Sequence, residues 1–94
     1  MLEKAWQEQV VELATYYRWR HFHPFDMRRS DAGWPDLVLV RPPELVIAEL
    51  KTDRGRVRPE QQVWLDLLAA CGIEVHVWRP RDFELVHTRL KFAR

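Results

Sequence analysis

The sequence predicts a single α/β domain, spanning residues 1–94, in which a central mixed β-sheet is flanked by helices. A chain of 94 residues has the length of one compact domain, and its 47% apolar residues are enough to form a core. Segments with helical periodicity and segments typical of strands follow in the order helix, strands, helix, strand. This order is typical of a sheet with helices on its faces.

The first predicted element is a helix over residues 2–19, which contain neither Gly nor Pro. Its apolar residues recur every three or four positions and predict one buried face: Trp6, Val10, Leu13 and Tyr17. Residues 19–25 alternate loosely and predict a short strand before a polar loop. The apolar runs at 37–40 and 45–50 then predict a β-hairpin that is covered on both faces.

The second half of the chain begins with a predicted basic loop over residues 52–58. Pro59 suits the first turn of a helix, and Gly72 suits the position just past its end. The predicted buried stripe of this helix consists of Val63, Trp64, Leu67, Leu68 and Cys71. Residues 73–78 alternate and predict a third strand, whereas residues 83–92 carry only a weak pattern.

Composition excludes several classes of protein. The 15 Lys and Arg residues are nearly balanced by 14 Asp and Glu residues, which argues against binding by charge alone. Twelve of the 15 are arginines, the residue suited to bidentate phosphate contacts. The single cysteine excludes an intrachain disulfide and suits a reducing cytoplasm. With no apolar run of membrane-spanning length and no signal peptide, we expect no membrane partner.

Two acidic residues occupy positions where a solvated surface is not expected. Asp36 directly precedes the apolar run at 37–40, and Glu49 lies inside the run at 45–50. A carboxylate inside an apolar strand is costly unless it is paired. Lys51, two residues after Glu49, points to the same face of the sheet, and pairing of the two strands would bring Asp36 close to both.

Two carboxylates and an ammonium group at one place suit metal-dependent hydrolysis of phosphodiesters. Oxygen ligands are those that Mg²⁺ and Mn²⁺ prefer, and Lys51 would orient water or stabilise charge on phosphorus. The alternative is that Glu49 and Lys51 form a surface ion pair and that Asp36 is a turn residue. The joint pattern favours the metal site over this alternative.

The joint pattern resembles the signature of PD-(D/E)XK nucleases, with Pro35-Asp36 as its first half and Glu49-Leu50-Lys51 as its second. A longer string, over roughly residues 3–80, resembles the VRR-NUC branch, in particular its small stand-alone members from phages and prophages. The segments of this string are Gly33-Trp34-Pro35-Asp36-Leu37, Ala48-Glu49-Leu50-Lys51-Thr52, Arg54-Gly55-Arg56, Pro59-Glu60-Gln61, Trp64-Leu65 and Gly72-Ile73-Glu74-Val75.

The resemblance implies a restriction-endonuclease-like fold and a role for each matching residue. Asp36 and Glu49 would bind the metal together with the carbonyl oxygen of Leu50. Lys51 would be the catalytic lysine. Gln61, at the start of the second helix, would lie near the active centre as a further catalytic residue.

The resemblance also implies that an acid on the first helix completes the metal site. Glu3, which Gln7 follows on the same helical face, matches that acid. Glu8 and Glu12 are alternatives on the same helix, and a solvated first-turn acid is the alternative role for Glu3.

Several arginines are candidates for nucleic-acid binding. Arg54, Arg56 and Arg58 alternate in the loop after the predicted catalytic lysine, where they could hold a phosphate backbone. Arg28 and Arg29 are similar candidates with weaker support. A solvated loop without a ligand is the alternative for the first three.

The function that the resemblance implies is a Mg²⁺-dependent DNA endonuclease, with Mn²⁺ as a substitute and no small-molecule cofactor. Small family members resemble Holliday-junction resolvases, so we expect a homodimer and selectivity for branched or four-way DNA. One alternative is a non-catalytic DNA-binding or assembly module of the same fold. Another is a restriction-type enzyme that reads a short sequence.

Other polar and aromatic residues favour structural roles. His21 and His23 share a strand face, but no third ligand lies nearby, so we expect a polar strand face rather than a metal pair. Trp19 and Trp34 lie near loops and are expected to pack rather than to stack on a base. The remaining tryptophans are predicted core residues: Trp6, Trp64 and Trp78.

Overall fold

The computed structural model describes residues 1–24 and 31–94 and confirms the predicted α/β class. Its helices and strands are α1 (Glu3–Tyr16), β1 (Arg20–Phe22), β2 (Leu37–Arg41), β3 (Glu44–Leu50), α2 (Pro59–Ala70), β4 (Glu74–Trp78) and α3 (Phe83–Lys91). A short 3₁₀ helix, Pro80–Asp82, precedes α3. The strands form one sheet in the order β1-β2-β3-β4, in which only the β3–β4 pair is parallel. Within the described ranges, no helix is both long enough and apolar enough to span a membrane.

Helices α1 and α3 cover one face of the sheet and form the main core with it. Side chains two positions apart in a strand share a face. The strand residues in this core are Leu37, Leu39, Val46, Ala48, Leu50 and Trp78. Ile47 and Glu49 alternate with them and therefore point to the opposite face, where α2 packs against β4.

The first helix is shorter than predicted. It ends at Tyr16, because Arg18 adopts a positive φ of 70° and the chain turns there. The turn brings Trp19 into the core, which confirms that this tryptophan packs. β1 then covers only residues 20–22 of the predicted strand. The last residue of that prediction, Phe25, lies outside the described residues.

The predicted buried stripe of α2 is wrong at three of its five positions, since only Trp64 and Leu68 are half-buried. Gln61 and Leu65 are its buried residues, whereas Val63 and Leu67 are 56% and 58% exposed and Cys71 is also exposed. Val63 lies two positions after Gln61, and Leu67 two positions after Leu65, which is about 200° around a helix. Helix α2 therefore carries apolar side chains both toward the sheet and away from it.

The predicted β-hairpin is confirmed, but its cover on both faces is wrong at the turn. Residues 46–50 are buried, whereas Val40 and Leu45, which pair across the hairpin, are exposed on the face opposite α1 and α3. The reason is that α2 packs on β4, two strands away from β2.

Helix α3 forms where the sequence carried only a weak pattern. It buries Val86 and Leu90 against the core. The guanidinium group of Arg89 bridges Glu44, at 2.9 Å, and Glu74, at 2.7 Å. These ion pairs tie α3 to the ends of β3 and β4.

The segment before β2 docks on the first turn of α2. Gly33 has a φ of 87°, and a Cβ added to it would lie 2.4 Å from the carbonyl oxygen of Glu60. Only glycine tolerates both this conformation and this close approach. The next residue, Trp34, packs edge-to-face on Trp64 with ring centroids 4.9 Å apart. These contacts set the position of Asp36, which follows two residues later.

Candidate active site

Asp36 and Glu49 meet across the β2–β3 ladder. Leu37 pairs with Ala48, so Asp36, one position earlier, stands opposite Glu49. The amide N–H of Asp36 donates to Glu49 Oε1 at 3.2 Å, and the N–H of Leu50 donates to Asp36 Oδ2 at 2.8 Å. Each carboxylate is therefore held by a main-chain amide of the opposite segment.

Lys51 lies directly beside this pair of acids. Its Nζ is 3.7 Å from Glu49 Oε2, and the residue is only 8% exposed. The N–H of Lys51 donates to the carbonyl oxygen of Trp78 at 3.1 Å, and the same oxygen accepts from Nε1 of Trp6 at 3.0 Å. Strand β4 and helix α1 thus fix the point where Lys51 leaves the sheet.

The carboxylate of Glu49 is in an electrostatically unfavourable place. The residue has no solvent exposure, and within the described part of the chain its Oε2 has no hydrogen-bond partner. Burial, together with the hydrogen bonding and charge of Asp36, raises the pKa of Glu49 to about 8, and the charge of Lys51 opposes this rise. The protein alone therefore favours a protonated Glu49 at neutral pH.

The donor set at this place fits a hard divalent cation. In an extended strand the N–H and C=O of one residue point the same way. The carbonyl of Leu50 therefore points to the side of Asp36, to which its N–H donates. Two carboxylates and one carbonyl suit Mg²⁺, which keeps several waters and uses one or two protein carboxylates. Among residues 1–24 and 31–94, no group of three or more His, Cys, Asp or Glu residues is arranged to bind a metal.

A cleft of about 510 Å³ opens beside Asp36. Two acids of α1, Glu8 and Glu12, line this cleft, whereas Glu3 is exposed at the start of the helix and does not line it. The structure thus brings the two alternative acids, and not Glu3, into one cleft with Asp36. The other residues that line the cleft are Lys4, Gln7, Val11, His23 and Pro24.

Gln61 is buried and caps the helix that covers the site. Its Oε1 accepts from the N–H of Arg58 at 2.8 Å, which satisfies an amide at the start of α2. The structure thereby gives Gln61 a structural task, and its role in catalysis stays a prediction.

Three of the five predicted nucleic-acid-binding arginines lie within the described residues. Arg54, Arg56 and Arg58 are exposed, and Arg58 also pairs with Glu60 at 3.4 Å. Arg28 and Arg29 lie outside the described residues. The sequence did not single out Arg79, which anchors the loop that carries Arg54, Arg56 and Arg58. Its only signal was its position directly after the predicted strand at residues 73–78.

His21 and His23 are both exposed, and their rings stack with centroids 6.2 Å apart. Neither belongs to a three-residue metal-binding group within the described ranges. Their exposure agrees with the predicted polar surface.

Comparison with known protein families matches a VRR-NUC domain to residues 2–82, which is most of the chain. The chain belongs to the VRR-NUC family. VRR-NUC domains have a PD-(D/E)XK-like nuclease fold, so the predicted family and fold are confirmed and this is a nuclease domain. No curated protein and no solved structure matches the chain.

We expect the metal-free VRR-NUC domain to lose stability as the pH rises from about 4.5 to about 8. An unfolded chain releases the Glu49 proton near the ordinary pKa of 4.5, whereas the folded protein keeps it until about pH 8. The folded state therefore binds more protons in this range, and its stability falls as they are removed. In EDTA, the Tm of wild type should fall by roughly 5 °C or more relative to the Tm of Glu49→Gln between pH 5 and pH 8.5. Thermal unfolding measures both values. The exposed-site variant Glu84→Gln is the control and should keep the wild-type slope; a constant difference between wild type and Glu49→Gln would contradict the account.

Proposed function

We propose that this domain is a metal-dependent DNA endonuclease that uses Mg²⁺, or Mn²⁺ in its place. The observation that carries the proposal is the buried Glu49 carboxylate, which lies against Asp36 with one oxygen lacking a hydrogen-bond partner in the described structure. A structural carboxylate in such a place would be expected to have its oxygens satisfied. A cation held by Asp36, Glu49 and the Leu50 carbonyl would satisfy this oxygen and offset the repulsion between the acids.

The residues of the site have distinct tasks in this proposal. When bound, the cation would neutralise phosphate charge and lower the pKa of water at the site. Asp36 and Glu49 would hold the cation and would thereby set the place where the reacting phosphate binds. Lys51 directs its ammonium group toward Glu49, so it can donate a hydrogen bond to the attacking water or to a phosphate oxygen. Its near-complete burial reduces screening by solvent and strengthens that interaction.

A further acid from α1 would strengthen metal binding. The resemblance to the family favours Glu3, whereas the cleft beside Asp36 favours Glu8 or Glu12. Mg²⁺ does not require this third carboxylate, because water can occupy the remaining positions.

DNA is the proposed substrate, and the exposed Arg54, Arg56 and Arg58 would contact its backbone. We extend this role to Arg28 and Arg29 from the sequence. Membranes and small-molecule cofactors have no part in the proposal. A cytoplasmic location is proposed from the single cysteine, which suits a reducing compartment.

We also propose that two copies pair and cut branched DNA, as Holliday-junction resolvases do. Helix α2 supports pairing, because Val63 and Leu67 are exposed on the side away from the sheet. Val63 and Leu67 lie four positions apart and therefore form an apolar stripe on the exposed side of the helix, which a partner could bury. A second copy of the chain is the occupant proposed for this surface, since two-fold pairing would supply the two cleavage centres that a four-way junction needs.

We expect Lys51→Ala to lower Mg²⁺-dependent cleavage by about 100-fold or more, because it removes the buried ammonium group that lies 3.7 Å from Glu49 Oε2. The measurement is the initial rate of cleavage of linear, flapped and four-way DNA. Lys91→Ala, which removes an exposed lysine on α3, is the matched control and should cleave at the wild-type rate.

The same assay separates the alternative functions. Binding of all three DNAs by wild type without cleavage in Mg²⁺ or Mn²⁺ would favour the binding module. Cleavage of plain duplex at one fixed sequence would favour a restriction-type enzyme. The proposed function predicts fastest cleavage of the four-way substrate.

We expect the protein to behave in solution as a particle of twice 11.4 kDa. Leu67→Glu places a charge on the exposed side of α2 and should produce the monomer. Leu85→Glu changes a residue of nearly equal exposure on α3, 59% against 58%, and should leave the dimer intact. Light scattering measures the mass, and a monomeric wild type at 100 μM would contradict the pairing.

A further inference from the structure

Residues 52–58, the arginine loop, are anchored from the end of β4. One guanidinium nitrogen of Arg79, Nη1, donates to the carbonyl oxygens of Thr52 and Gly55, each at 2.6 Å. The N–H of Gly55 donates to the same Thr52 oxygen at 3.2 Å and closes a turn. The turn that carries Arg54 is therefore fixed by a side chain from outside the loop.

A second arginine holds the same loop. The N–H of Arg81 donates to Asp53 Oδ1, and its Nη1 donates to the Asp53 carbonyl, both at 3.0 Å. The N–H of Arg79 donates to Asp82 Oδ2 at 2.9 Å, which fixes the start of the 3₁₀ helix. The anchor is thus itself held in place, so it is suited to order the loop.

The charges of the loop explain why an anchor is needed. Arg54, Arg56 and Arg58 lie at alternate positions, and Asp53 is the only acid among residues 52–58. Like charges repel, so contacts among these arginines cannot hold the loop in one shape. Arg79 acts on main-chain carbonyls instead and leaves Arg54 and Arg56 exposed.

The anchored turn also lies against the catalytic lysine of the proposed function. A Cβ added to Gly55 would be 3.6 Å from Cδ of Lys51. Gly55, which has no Cβ, therefore lies next to the aliphatic part of the lysine side chain. A shift of the loop would change both the arginines and the surroundings of Lys51.

We propose that Arg79 is a positioning residue for the phosphate backbone of DNA. It orders the arginine loop before binding, so that Arg54 and Arg56 meet the backbone in a fixed arrangement beside Lys51. Arg79 acts through the loop in this proposal, because its Nη1 is used by two carbonyl oxygens of the loop. The inference rests on the proposed function of the loop.

The test is a double-mutant cycle on DNA affinity. Fluorescence anisotropy with a labelled four-way DNA in EDTA gives Kd at several salt concentrations for full-length variants. We expect Arg79→Gln to weaken binding by roughly 5-fold or more and Arg54→Gln/Arg56→Gln to weaken it by at least as much. Adding Arg79→Gln to the double variant Arg54→Gln/Arg56→Gln should then change Kd by less than about 2-fold. The slope of log Kd against log salt concentration should stay that of the double variant. Arg18→Gln, the same change at an exposed site on the α1–β1 turn, controls for net charge.

Each outcome decides a separate point. Additive losses in the cycle, or an unchanged Kd for Arg79→Gln, would overturn the positioning role. Arg79→Lys keeps the charge and an ammonium group that can donate to both carbonyl oxygens, as Nη1 does, so it should bind DNA within about 2-fold of wild type. A loss of affinity as large as that expected for Arg79→Gln would overturn the role, and this variant keeps the test open if Arg79→Gln fails to fold. If wild type itself binds no DNA, the proposed function fails first and removes the basis of the inference.

Discussion

The organisation of this domain depends on two hydrogen bonds that fix the carboxylates of Asp36 and Glu49. Each carboxylate accepts from a main-chain N–H of the segment that carries the other acid. Asp36 accepts from Leu50, and Glu49 accepts from Asp36, so neither acid can move away without breaking one of these two hydrogen bonds. Burial of the Glu49 carboxylate, and after it the hydrogen bonding and charge of Asp36, raise the pKa of Glu49, so the charged form is costly in this place. A protein that retains such an arrangement gives up stability at neutral pH unless a cation compensates. The proposed cation would give this unfavourable pairing a chemical use.

The surroundings of the pair serve to keep it rigid. Gly33 seats the segment before β2 on the first turn of α2, and Gln61 caps that turn from within. On the other side, the Trp78 carbonyl receives both the amide of Lys51 and the indole of Trp6, which joins β3, β4 and α1 at one atom. Residues from four elements thus meet around the side chains of Asp36, Glu49 and Lys51. This arrangement lets a chain of 94 residues hold a site that depends on sub-ångström placement.

Local patterns decided how much of this could be predicted from the sequence. Apolar runs located β2 and β3, and alternation located β4. The pairing of the two consecutive strands β2 and β3 was enough to bring Asp36 to Glu49 and Lys51. The inward side of α2 was predicted wrongly, because the exposed Val63 and Leu67 repeat with helical spacing, whereas the buried pair with the same spacing, Gln61 and Leu65, includes a polar residue. Helix α3 and the anchoring of residues 52–58 depend on contacts between distant positions, such as Arg89 with Glu44 and Arg79 with Gly55. No local pattern carries that information.

The central claim is that a divalent cation binds between Asp36 and Glu49. Crystals grown with Mn²⁺ and measured near the manganese absorption edge test this claim most directly, because the anomalous signal locates the ion without reference to activity. The account predicts one strong peak within coordination distance of both carboxylates and of the Leu50 carbonyl. A Glu49→Gln crystal under the same conditions should show that peak weakened or lost. A wild-type crystal with no peak there, or with manganese bound only at Glu8 and Glu12, would contradict the account.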